Sequence, residues 1–121
     1  KLLLDLGYTN YNFTIKKSSE TQKLLPNTSP NKYKIGLSYI EKNFIDIKVD
    51  FAYTQGFDWL AGTTVGYVPD YAVLNLNAGF YPLDNFEVGI NVYNLLDRKH
   101  YEMFGGTYIP RYTTIKISYQ I

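Results

Sequence analysis

Apolar and polar residues alternate one for one along most of this chain. Leu2, Leu4, Leu6 and Tyr8 share one side of the first such stretch, with Asp5, Gly7 and Thr9 on the other. The second sets Tyr33, Ile35, Leu37 and Tyr39 against Lys34, Gly36 and Ser38. The third sets Ile45, Ile47, Val49, Phe51 and Tyr53 against Asp46, Lys48, Asp50, Ala52 and Thr54. Ala72 to Phe80, Phe86 to Val92 and Thr113 to Ile121 repeat the pattern. A period of two means strands, because successive side chains on a strand point to opposite faces. Six such strands leave little room for helices. The expected fold is all-β, an antiparallel up-and-down meander of about six strands.

The connections alternate in length. Residues 41–43 and 82–85 are short and rich in turn formers, whereas residues 17–31, 55–70 and 100–111 are long. A meander with one rim trimmed and the other elaborated has the asymmetry of a transmembrane β-barrel. A soluble sandwich also alternates, so other features must separate the two. The stretches run nearer the nine to eleven residues a membrane-crossing strand needs than the five or six of an average soluble strand. Aromatics close the apolar rows at both ends: Tyr39, Phe80, Phe86 and Tyr119 toward the short turns, Tyr8, Tyr33 and Tyr53 toward the long loops. Two aromatic girdles around an aliphatic band suit ring side chains that settle at headgroup level.

Six strands do not close a barrel, for which about eight is the usual minimum. An open sheet in lipid leaves unpaired backbone groups at its edges. The chain is therefore expected to be part of a larger barrel or to combine with copies of itself. Otherwise it hides two strands, through a hairpin at Thr9-Asn10 and a strand in the loop that holds Trp59.

Composition narrows the classes further. The 121 residues suffice for one domain. A net charge of +1 without a dense Lys/Arg cluster argues against a nucleic-acid partner. The absence of Cys removes disulfides and thiolate metal sites. The 13 Tyr residues suit a boundary between wet and greasy surroundings. No apolar run reaches the ~18 residues of a transmembrane helix. The start KLLLDLGY lacks Met and a signal peptide's features, so an excerpt or a mature product is expected.

At "NVYNLLDRKHYE" the sequence resembles the C-terminal end of TonB-dependent outer-membrane receptors, which carry an Asn-Leu-Phe-Asp-Lys-x-Tyr-like segment before a last loop and strand. Asn94, Leu95, Leu96, Asp97, Arg98 and Tyr101 stand at the matching places, with Leu96 where Phe is commoner. "LPNTSPNKYKIGLSY" and "YAVLNLNAGFYPLDNFEVGINVYNLLD" resemble a descending strand and the penultimate hairpin. The resemblance implies the last strands of a 22-stranded barrel whose lumen is plugged. It also implies outer-membrane lipid, the remaining strands and plug of the same receptor, and TonB, through an N-terminal part, as partners. It implies uptake of a scarce nutrient such as an iron-siderophore, haem, cobalamin or a carbohydrate, in the bacterial outer membrane. Family members often finish on Phe, whereas Ile121 stands here, and the plug and TonB-contacting segment lie outside these residues.

On the physical reading, alternation stops at residue 94 where the strand leaves the hydrocarbon. Leu95 and Leu96 break the period together, which predicts a bulge. Asn94 and Asp97 are suited to satisfy backbone donors there.

Little else points to chemistry. His100, the only His, sits beside Arg98 and Lys99 and reads as a solvated loop residue. Asp46, Asp50 and Glu87 share a face with Lys48, so charge pairing in a wet lumen is expected rather than acid–base catalysis. No catalytic, phosphate-binding or metal-ligand spacing stands out, no cofactor is implied, and no enzyme is expected. Asn12-Phe13-Thr14 and Asn27-Thr28-Ser29 match a glycosylation pattern that is common by chance. The loop "QGFDWLAGTTVGYVPDY" holds the only Trp, and Phe57, Trp59, Tyr67 and, in the last loop, Tyr108 are the candidate ligand contacts. A small structural or adhesive barrel and a soluble β-sandwich binding module are the competing readings.

Overall fold

The computed structural model describes residues 1–14 and 25–120. Eight strands follow in order: β1 (Leu2–Asn10), β2 (Asn31–Glu41), β3 (Ile45–Thr54), β4 (Phe57–Ala61), β5 (Thr64–Val68), β6 (Tyr71–Leu83), β7 (Phe86–Tyr93) and β8 (Tyr112–Tyr119). Six form one antiparallel sheet in the order β1-β2-β3-β6-β7-β8, and β4 and β5 form a separate hairpin. β1 is a single strand paired with β2 from Leu2↔Tyr39 to Asn10↔Asn31, so the hairpin expected at Thr9-Asn10 does not exist. The loop around Trp59 does hide strands, but they pair only with each other and leave the main sheet at six. No strand among the described residues closes the sheet from β8 to β1.

Register turns the alternation into two faces. Leu4, Leu37, Val49, Leu76 and Val92 lie in one cross-strand row. Ser38, Lys48, Asn77, Asn91 and Thr114 lie in a row of the opposite face. The apolar face is most open toward the outer strands, where Leu6 is 72% and Ile117 70% exposed, while Val92 on β7 is buried. Among the described residues only Val68, Val73 and Val92 are buried hydrophobics. A soluble sandwich of this size would cover its apolar rows with a second sheet. Here the six strands form one layer, as a barrel wall does.

The two rims differ as expected, with corrections in detail. β2 runs through Glu41, and its turn places Asn43 at φ 59°, a left-handed position that Asn tolerates. Residues 82–83 belong to β6, not to the turn, which is only Asp84-Asn85. Phe80 pairs with Val88 and Leu83 with Phe86, so Tyr81 and Pro82 oppose Glu87 alone. That is a β-bulge, a place where proline's missing N–H does little harm. Beside it Phe44 and Phe80 meet edge to face at 5.6 Å. At the other rim Tyr8, Tyr33 and Tyr53 form a ladder with ring centroids 4.9 and 6.1 Å apart.

Candidate functional site

The polar face carries most of the sheet's charges, Glu41 at the end of β2 being on the other. Lys48 Nζ lies 3.3 Å from Asp50 Oδ1, and Lys116 Nζ lies 2.8 Å from Glu87 Oε2. The pairing expected for Asp50 and Glu87 is therefore present, with Lys116 as a partner the sequence reading passed over. Gly36 and Gly79 give carboxylates room. A Cβ at Gly36 would stand 2.7 Å from Asp50 Oδ1 and 3.6 Å from Asp5 Oδ2, so both acids lean over the glycine. Asp46 lies over Gly79 beside the Tyr81 hydroxyl, and its Oδ1 is buried without a hydrogen-bond partner among the described residues.

Above the polar face, the segment after β7 is a knot that opens with the one-residue shift of a bulge, Asn94 being the extra residue. The strand ends at Tyr93, and Asn94 and Asp97 both adopt left-handed backbone, φ 52° and 51°. Asn94 is fully buried and uses its whole side chain. Its Nδ2 donates to the carbonyls of Arg98 (2.9 Å) and Ile109 (3.2 Å), and its Oδ1 accepts the Arg98 N–H (3.0 Å). Its own N–H donates to Asn75 Oδ1 at 3.0 Å. Asp97 Oδ1 accepts the Arg111 N–H at 2.9 Å, which fixes the far end of the connection. Leu95 N–H extends the ladder by bonding the Leu74 carbonyl at 2.7 Å, while Leu96 is exposed. The polar residues at this break thus satisfy backbone donors, as their chemistry predicts, and the bulge leads into a turn closed by the Asp97 N–H on the Asn94 carbonyl.

His100 corrects the expectation of a solvated residue. It is buried, stacked on Tyr71 at 4.7 Å. Its Nδ1 lies 3.0 Å from the Arg98 carbonyl, which only accepts, so Nδ1 carries a hydrogen. Nε2 faces Glu102 Oε1 at 4.0 Å, and that oxygen takes a hydrogen bond from the Tyr93 hydroxyl at 3.1 Å. Tyr93 stacks in turn on Tyr112 at 5.0 Å. Adjacency to Arg98 and Lys99 in sequence concealed this, because burial of His100 depends on Tyr71 at the start of β6. Tyr71 is accordingly part of this stack and not of the Trp59 loop.

The four candidate ligand residues are divided by the fold. Phe57 and Tyr67 line a cleft of about 690 Å³ between the hairpin and residues 11–14 and 25–30, which contribute Tyr11, Phe13 and Pro30. Tyr67 is exposed and Phe57 half-buried. Trp59 lies 6.4 Å from Phe57 but does not line that cleft. It pairs with Gly66, over which the Phe104 ring packs. Tyr108 is exposed and meets the motif residue Tyr101 at 5.5 Å, across a smaller hollow of about 200 Å³ beside His100. Among the described residues no three potential metal ligands come together.

A single antiparallel layer with one uncovered apolar face, one polar face and all its long loops on one rim is a β-barrel wall. Residues 2–95 match the family model described as TonB dependent receptor-like, beta-barrel. The chain belongs to that family, whose barrels are bacterial outer-membrane proteins. Among solved structures, the fold is similar to the closed-form crystal structure of the ferric-catecholate import receptor Fiu from E. coli K12, with a TM-score of 0.71 and 23% identity. That similarity covers 94% of this chain and 18% of the Fiu chain. No curated protein matches. The family match stops at residue 95, so of the segment Asn94 to Tyr101 it includes only the first two residues.

Proposed function

We propose that this chain forms the last strands of an outer-membrane receptor that takes up a scarce nutrient in a TonB-dependent manner. The observation that carries the reading is the two-faced single sheet, together with family membership over residues 2–95. The apolar face meets outer-membrane lipid. The polar face turns to the lumen, where the plug of the same receptor sits, and contact with TonB belongs to that part of the protein. Strands β1 and β8 join the remaining strands of a 22-stranded barrel. The protein transports rather than catalyses.

Phe57, Trp59, Tyr67 and Tyr108 belong to the extracellular face that meets the transported molecule. An iron-siderophore, haem, cobalamin or a carbohydrate suits such a surface, and the likeness to Fiu makes a ferric catecholate the first to try. Deletion of the full-length gene tests the reading. Uptake of one of these nutrients should fall, and should fall equally when TonB is removed instead. Undiminished uptake of all of them in the deletion strain overturns it.

A further inference from the structure

Three connections meet at the elaborated rim, and the β4–β5 hairpin lies between the other two. In an antiparallel ladder, alternate residues turn their N–H and C=O away from the partner strand. Leu60 does so at the hairpin's free edge. Asn27, from the connection between β1 and β2, takes both groups. Its Nδ2 donates to the Leu60 carbonyl at 2.8 Å, and its Oδ1 accepts the Leu60 N–H at 2.8 Å. One side-chain amide thus stands in for an adjoining strand, and a backbone φ of 50° at Asn27 belongs to the same arrangement. On a face of the hairpin, Phe104 from the connection between β7 and β8 lies so close over Gly66 that a Cβ there would overlap the ring. The third connection is itself held by Asn94 and by the Ile109 N–H, which donates to the His100 carbonyl at 2.8 Å.

We propose that Asn27 and Phe104 are positioning residues that lock the three connections into one unit. The lock fixes where the hairpin presents Phe57 and Tyr67, so the cleft is preorganised and its ordering cost is met before a ligand arrives. Displacement of any one connection is shared by the other two. The presentation part rests on the receptor reading above; the lock does not. Both Nδ2 and Oδ1 of Asn27 are engaged in the clamp.

Hydrogen exchange on the full-length protein in detergent tests the lock without any ligand. Asn27→Ala should speed exchange across residues 57–68 and also across residues 100–109, which Asn27 does not touch. Phe104→Ala should speed residues 57–68, and Phe104→Leu should restore most of the protection. Changes confined to the substituted connection overturn the lock. Asn27→Asp keeps the acceptor for the Leu60 N–H but sets a second carboxylate oxygen against the Leu60 carbonyl, so it too should speed exchange across residues 57–68 and 100–109. It decides the matter if the alanine variant fails to assemble. In uptake assays, Asn27→Ala should raise KM by up to about thirtyfold, the worth of two lost hydrogen bonds at about 1 kcal/mol each, with the maximal rate unchanged. An unchanged KM overturns the positioning role even where the exchange result stands. Absence of any uptake by the unsubstituted protein strikes the receptor reading alone.

Discussion

Asn94 Nδ2 donates to the carbonyl of Ile109, fifteen residues further along, at 3.2 Å. A buried amide that closes such a loop is a structural part, and its loss leaves part-buried backbone partners unpaired. The Ile109 carbonyl and the Arg98 N–H depend on it, and the Arg98 carbonyl shares it with His100 Nδ1.

Asn94→Ala should therefore lower the local stability of the connection by about 3 kcal/mol, at about 1 kcal/mol per bond. Native-state exchange of the Ile109 N–H reads this directly, since that group bonds the His100 carbonyl inside the same loop. Asn94→Gly should be milder by about 1 kcal/mol, because glycine adopts the left-handed backbone without strain. Identical losses for the two variants would show that the φ of 52° carries no cost.

Ile90 and Asn91 are adjacent yet face opposite ways. Ile90 pairs with Ala78 and Ile115 on the apolar face, and Asn91 Nδ2 reaches Thr114 Oγ1 at 3.4 Å on the polar one. Ile90→Arg should cost about 2–4 kcal/mol if the residue lies near the bilayer midplane, whereas Asn91→Arg should be mild. Reversible unfolding of the complete barrel in lipid vesicles measures both. Equal effects would mean that the assigned facing is wrong.

Facing also predicts chemical access. Cysteines placed at Leu74, Leu76, Ile90 or Val92 should resist a water-soluble thiol reagent, and those at Asn75, Asn77 or Asn91 should react. Fast labelling at 74 and 90 with protection at 75 and 91 would reverse the two faces.

His100 separates packing from ligand chemistry. His100→Phe keeps a ring against Tyr71 and loses only the Nδ1 bond, so its stability should change by about 1 kcal/mol. His100→Ala removes a buried ring and should cost about 3 kcal/mol. Loop proteolysis ranks the variants. Lost uptake in a stably folded His100→Phe variant would give the imidazole a direct role with the ligand.

Among the described residues, β1 and β8 are edges paired on one side only. Each unpaired backbone group in hydrocarbon costs several kcal/mol. Expressed alone in detergent, residues 1–121 should oligomerise or aggregate. Mass measurement with a protease challenge checks this, and a compact, resistant monomer would contradict it.

The strands and the facing of their side chains were legible in the sequence. A period of two is a local property, and Leu74-Asn75-Leu76-Asn77 states it without reference to any other residue. The place of Tyr8, Tyr33 and Tyr53 at one rim followed from the same count. The asymmetry of the rims was legible too, since turn length is also local. Long-range pairing was not. Whether Leu2–Asn10 folds on itself or pairs with β2 depends on register with Tyr33 and Tyr39. Whether the Trp59 loop adds a strand to the wall or folds on itself depends on how β3 and β6 close their ladder beneath it. The burial of His100 by Tyr71, the seat of Phe104 on Gly66 and the clamp of Asn27 on Leu60 join residues 29 to 38 positions apart, or come from different connections. No periodicity encodes such contacts. They exist because the sheet brings three loop bases to one rim, where polar side chains must find partners once water is excluded.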